Sequence, residues 1–156
     1  MRRISATGIR GFTLLEILVV VAIIGIVIAV AAVNLFPSDA QLSRRDAADV
    51  ALTVEKVRDT AWFGGRPAAV SFGDGRMVEW RFEGSTWRPA NDGDHPLPPG
   101  LDVGAIVADD VALKPGERLI FLPDGLGIPF RIRLASRGID WAVDGDPAGA
   151  VRLVQP

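Results

Sequence analysis

The chain has 156 residues, 49% of them hydrophobic, with 17 Lys or Arg against 19 Asp or Glu, one His and no Cys. Without Cys there is no disulfide stapling, thiol catalysis or Cys-based metal site. A net charge of −2 with no basic stripe argues against a phosphate-binding surface. A single His gives little support to a Ser-His-Asp triad or a multi-histidine metal centre.

Residues 1–11, MRRISATGIRG, carry Arg2, Arg3 and Arg10 and end in Gly11. The next 25 residues, 12–36, hold Glu16 as their only charge. As a helix this run measures about 37 Å at roughly 1.5 Å per residue, enough for a hydrocarbon core of roughly 30 Å. A lone carboxylate costs roughly 2.5–3.5 kcal/mol at the centre of such a span and less near its end. That cost predicts a partner from outside the span. The boundary between Gly11 and Phe12 reads as a processing site. Cleavage there creates an α-amino group on Phe12, four residues before Glu16. The two charges attract strongly at low dielectric and offset each other's desolvation, within one helix or between neighbouring subunits. The basic head places the N-terminus in the cytoplasm and the remainder outside it.

G-F-T-L-L-E at residues 11–16, followed by the long apolar run, resembles the class III signal of type IV pilins and type II secretion pseudopilins. The resemblance implies cleavage between Gly11 and Phe12 by the inner-membrane prepilin peptidase and N-methylation of Phe12. It also implies a role for Glu16 in entry into a helical filament. Residues 1–11 are then a cleaved leader and residues 12–36 a transmembrane and filament-core helix. Residues 37–64 form an amphipathic helix continuing into the head, and residues 65–156 a β-rich periplasmic head.

Within the span, Ala22, Gly25, Ala29 and Ala32 recur at 3,4,3 spacing, a face that admits close helix approach. Pro37 interrupts or kinks the helix, and Ser38 with Gln41 fits a capping box at which it restarts. From residue 40 to about 63, Ala47, Val50, Val54, Val57 and Ala61 follow 3,4,3,4 spacing, with Ala51 and Trp62 beside them. The expectation is one long N-terminal helix, bare in its first half and packed on a head in its second. Gly64 and Gly65 end it.

The period then changes to two. Val70 and Phe72, a Gly73-Asp74-Gly75-Arg76 turn, and Val78, Trp80 and Phe82 read as a hairpin. Gly84-Ser85 turns into a short strand at residues 86–88. Residues 89–100, PANDGDHPLPPG, read as loop, with His95 on its surface. Strands are expected at 101–107 and 118–122, and around Ile128, Phe130, Ile132 and Leu134. Ile139, Trp141 and Val143 make another, and Val151 and Leu153 the last. Arg131, Arg133 and Arg137 read as a solvated strand face. The fold class is α+β: a long N-terminal helix packed on an antiparallel, sandwich-like head.

F-L-P-D-G-L-G-I-P-F at 121–130, I-D-W-A-V-D at 139–144 and G-A-V-R-L at 149–153 resemble the C-terminal signature of the minor pseudopilin H of type II secretion. Minor pilins of the T and U kind in type IV pili share this head. The resemblance implies a structural subunit, not an enzyme, at or near the tip of a pseudopilus that exports folded proteins. Its partners would be the other minor pseudopilins, the major pseudopilin and the prepilin peptidase. The alternative is a type IV minor pilin in pilus assembly or DNA uptake, which the acidic head disfavours. Asn91, Asp92 and Asp94 offer oxygen atoms to a hard cation, as do the Asp109-Asp110 and Asp144-Gly145-Asp146 runs. Such residues in Gly/Pro loops usually serve turns, so no metal or cofactor is expected.

Overall fold

The computed structural model of the chain describes residues 12–35 and 37–156. Two compact units divide at Pro37 and Ser38. The first contains α1 (Leu14–Leu35). The second contains α2 (Asp39–Gly64), β1 (Ala68–Gly73), β2 (Arg76–Glu83), β3 (Thr86–Pro96), β4 (Leu101–Ala108), β5 (Val111–Leu113), β6 (Arg118–Phe121), β7 (Phe130–Ser136), β8 (Ile139–Gly145) and β9 (Val151–Val154).

The single long helix expected from the sequence is two helices. Pro37 lacks the N–H a continuing helix would use, and α2 starts afresh. Ser38 takes an extended backbone and its hydroxyl accepts from the Gln41 amide, while the Gln41 side chain accepts from the Ser38 amide. This reciprocal cap satisfies two otherwise orphaned donors at once. Gly65, at φ +64°, closes the other end in the left-handed conformation.

The strands form two antiparallel sheets, ordered β3-β2-β1-β6 and β5-β4-β7-β8-β9. Two-residue turns at Asp74-Gly75, Gly84-Ser85, Asp109-Asp110 and Arg137-Gly138 join successive strands, with positive φ at both positions of each. Their mirror-image twist matches that of the flanking strands. The sandwich-like α+β head is therefore observed. β5, absent from the sequence reading, exists because Asp109-Asp110 is such a turn. Ile128 lies just before β7 rather than within it.

Residues 89–100, read as loop, mostly belong to β3, which runs to Pro96. β3 is an edge strand, where proline is tolerated because one side needs no ladder donor. Its register against β2 jumps between Val78 and Trp80, so residues 90–93 bulge opposite Glu79. Asp92 bends the bulge at φ +57°. A Cβ on Gly93 would lie 2.8 Å from that of Ala90 and 3.0 Å from that of Glu79. His95 is accordingly on a strand, and its Nε2 meets the buried Glu79 carboxylate at 2.9 Å. Lys56 of α2 donates to the same oxygen at 2.9 Å. The buried acid is thus paired from two sides, which its desolvation requires.

The stripe on α2 is core as expected: Ala47, Val50, Ala51, Val54, Val57 and Ala61 are all buried. It packs on strands of both sheets. Each buried valine contributes about 1.5–3 kcal/mol as an upper estimate. Phe121 of β6 and Phe130 of β7 meet edge to face, 5.8 Å between centroids, joining the sheets beneath the helix. Two polar residues extend the stripe. Ser43 donates to the Ser136 carbonyl at 2.9 Å and accepts from Trp141 Nε1 at 2.8 Å. Arg58 donates to the Gly149 carbonyl and lies over the Trp62 ring.

Ser43→Ala is expected to cost about 1–3 kcal/mol by leaving the buried Trp141 indole N–H unpaired and removing the side-chain bond to the Ser136 carbonyl, measured by urea unfolding of the full chain in detergent. At the outer end of β3, a hydrogen bond from Arg76 holds the Asp94 carboxyl below its ordinary pKa. A lowered folded-state pKa stabilises above the unfolded value and loses that stability as pH falls through the folded one. Arg76→Gln should raise the Asp94 midpoint toward the ordinary value of about 3.9, read by carboxyl NMR titration.

Candidate assembly segment

Phe12 and Thr13 lead into α1, and Thr13 is its N-cap. The Thr13 hydroxyl accepts from the Glu16 amide at 3.3 Å, and the Thr13 carbonyl accepts from the amides of Glu16 and Ile17 at 3.0 and 3.3 Å. Glu16 therefore occupies the third helical position of a Thr-x-x-Glu pattern, the residue type that favours a helix start. Its carboxylate sits in the first turn, where the helix dipole favours a negative charge. Thr13 had no part in the sequence reading. Its spacing to Glu16 was the available signal, overshadowed by the cleavage motif two residues earlier.

α1 has 22 residues, about 33 Å at roughly 1.5 Å per residue. It is long and apolar enough to cross a membrane, and none of its span is buried. Along residues 14–31 every side chain is exposed, on all sides of the helix. A helix that is apolar all round needs lipid or other helices around it. Ala22, Gly25 and Ala29 belong to this exposed surface, and a Cβ on Gly25 would meet no atom within 4 Å. The Ala32 side chain, Gly11 and the rest of residues 1–11, and Phe36 lie outside the described residues.

The acidic residues weighed as cation ligands have separate duties in the head. Asp92 shapes the bulge, Asp94 pairs with Arg76, and Asp109-Asp110 forms a hairpin turn. Asp144 accepts two bonds from Arg131, and Asp146 accepts from the Ala150 amide. Among the described residues, no group of three or more His, Cys, Asp or Glu is placed to hold a metal ion. Arg131, Arg133 and Arg137 are exposed, as the solvated-face reading expects.

Residues 7–32 match the family model for the prokaryotic N-terminal methylation motif. Residues 46–149 match the model for type II transport protein GspH. The chain belongs to the GspH family. The GspH match runs from within α2 through β8, inside the part of the molecule that follows the apolar helix. This GspH-family chain is a minor pseudopilin of type II secretion, a structural subunit anchored through its apolar N-terminal helix. The secretion reading thereby prevails over the type IV pilus alternative.

Two solved structures of the minor pseudopilin EpsH from the type 2 secretion system of Vibrio cholerae share the fold. One has a TM-score of 0.59 at 18% identity, over 73% of this chain and 97% of the other. The second has a TM-score of 0.60 at 16% identity, over 73% and 96%. The solution structure of E. coli GspH aligns with a TM-score of 0.53 at 18% identity, over 72% and 87%. No curated protein sequence matches the chain.

Thr13→Val removes the cap from the first turn of the GspH-family helix at a cost of about 1 kcal/mol. Exchange of the Glu16 amide, measured by NMR in micelles, should accelerate roughly fivefold while amides beyond the first turns keep their rates.

Proposed function

We propose that this pseudopilin is made with residues 1–11 as a leader, cut between Gly11 and Phe12 by the prepilin peptidase and N-methylated on Phe12. The new terminal amine and Glu16 then act together as the assembly element. Residues 12–36 hold the chain in the inner membrane, with the N-terminus cytoplasmic and the head periplasmic. The amphipathic helix of residues 37–64 carries the β-rich head of residues 65–156. The single observation behind this reading is α1: an apolar helix exposed on every side, with its only charge in the first turn.

Leaving the bilayer for a filament exchanges lipid for neighbouring apolar helices, with little net hydrophobic change. Charge pairing and close packing therefore decide when it happens. Glu16 meets the Phe12 amine of its own chain or of the subunit docked before it. The pair offsets two desolvation costs that neither charge bears well alone. The Ala22, Gly25, Ala29 and Ala32 face admits close approach of another helix. On α2, Leu52 and Phe63 are 62% and 87% exposed. They lie three turns apart on one side of the helix, and both are available to neighbouring subunits.

The partners are the other minor pseudopilins and the major pseudopilin, and the site is at or near the tip of a short pseudopilus. There the subunit helps push folded proteins across the outer membrane. Its contribution is structural, and the only covalent chemistry is performed on it at Gly11 and Phe12.

Glu16→Ala is expected to be cleaved almost normally yet to stay in the inner membrane, with secretion falling toward background. Mass analysis of the mature chain should find a methylated Phe12 N-terminus in both proteins. Wild-type secretion by Glu16→Ala would defeat the charge-pairing mechanism, and a mature chain still beginning at Met1 would defeat the processing claim.

A further inference from the structure

Met77 and Glu79 of β2 point toward α2 and are buried. Strand alternation sends Val78, Trp80 and Phe82 to the opposite, outer face of the four-stranded sheet. Cross-strand register adds Trp87 and Pro89 of β3, and Arg118 and Ile120 of β6, to the same face. The aromatic groups are fixed in place. Trp80 Nε1 donates to Ser71 at 2.8 Å, and Phe82 and Trp87 meet edge to face at 5.3 Å.

Arg118 lies on this platform, its guanidinium 4.1 Å from the centre of the Trp80 ring and 5.8 Å from that of Trp87. Its Nε is buried with no hydrogen-bond partner among the described residues. No described carboxylate pairs with it, because Asp94, the acid on this face, is taken by Arg76 at 2.6 Å. A desolvated cation donor without an acceptor is costly, and Trp, Arg and rigid aromatic neighbours are the composition of an interface hot spot.

The outer face of the other sheet differs. There Arg131 is bonded to Asp144 at 2.7 and 2.6 Å, and Arg152 to Asp146 at 3.4 Å. That face satisfies much of its own charge, whereas on the aromatic face Arg118 Nε has no partner among the described residues.

We propose that the outer face of the four-stranded sheet, centred on Arg118, Trp80 and Trp87, docks a protein segment that presents a carboxylate beside apolar side chains. The carboxylate supplies the counter-charge that no described acid gives the Arg118 guanidinium. The apolar neighbours cover Val78, Phe82 and Ile120, the last of which is 37% exposed. The stacked guanidinium and pinned indole reduce the ordering cost of binding.

The test places a photoreactive benzophenone side chain at position Ile120 of the full chain in its native host, with position Asp140 on the other sheet as control. The expected result is one discrete protein adduct from position Ile120, mapping within a few residues of an Asp or Glu. It should fall by about thirtyfold in Arg118→Glu and return when the mapped carboxylate is changed to Lys. If Arg118→Glu loses the protease resistance of the wild-type head, Arg118→Gln takes its place with the same criterion. Four results would overturn the proposal: no adduct above the Asp140 control, an adduct to lipid or saccharide, a mapped segment without a carboxylate, or an adduct unchanged by the Arg118 substitution.

Discussion

Both sheets of the head are held by one buried helix face. No strand pairing links the four-stranded sheet to the five-stranded one, so their association rests on what packs between and across them. α2 lies against β1 and β6 of one sheet and β4, β7, β8 and β9 of the other, and its small and β-branched side chains share one buried cluster with them. The Phe121–Phe130 contact adds a direct link. Polar residues fix where the helix lies: Ser43 at its first turns binds β7 and β8, and Arg58 near its end binds the Gly149 carbonyl. Apolar burial supplies most of the driving force, and these directional bonds select one position along the sheets.

The two helices meet opposite requirements. α2 is amphipathic and has its apolar stripe covered within the head. α1 is apolar all round and has none of its span covered, so it needs lipid or other helices around it. Separate caps let each helix satisfy its own start, with Thr13 in one and Ser38 in the other. A carboxylate in the first turn of α1 is tolerable there because the helix dipole favours it.

On the head, the two outward sheet faces show how one scaffold separates a solvated surface from an adhesive one. On the five-stranded sheet, Arg131 pairs with Asp144 and Arg152 with Asp146. On the four-stranded sheet, aromatic side chains line the face, Asp94 is taken by Arg76, and Arg118 is stacked on rings with no partner for its Nε among the described residues. Both faces come from strands of similar length and alternation. The distinction lies in which residue stands opposite each arginine, which is set by register.

The apolar run, its single glutamate, the Gly11-Phe12 pair that opens it and the 3,4,3,4 stripe are each local patterns. A helix period or a fixed spacing is enough to read them; the period-two strands after Gly65 completed the α+β class, and the motifs at 121–130, 139–144 and 149–153 carried the resemblance to the family. The turns at Gly73–Arg76 and Gly84-Ser85 were legible for the same reason, since positive φ demands particular residues. The extent of β3 was not legible, because its prolines are acceptable only at a sheet edge and edge position depends on strand order. Glu79, His95 and Lys56 are 16 to 39 residues apart in pairs, and they meet only once the β2–β3 register sets His95 beside Glu79 and α2 brings Lys56 to it. Arg118 likewise reads as an ordinary strand arginine until the register sets it over Trp80. Sequence determined what each segment is, because local periodicity and chirality act within a few residues. Tertiary structure decided which charges found partners, because that depends on groups brought close only after the sheets have paired and α2 has closed over them.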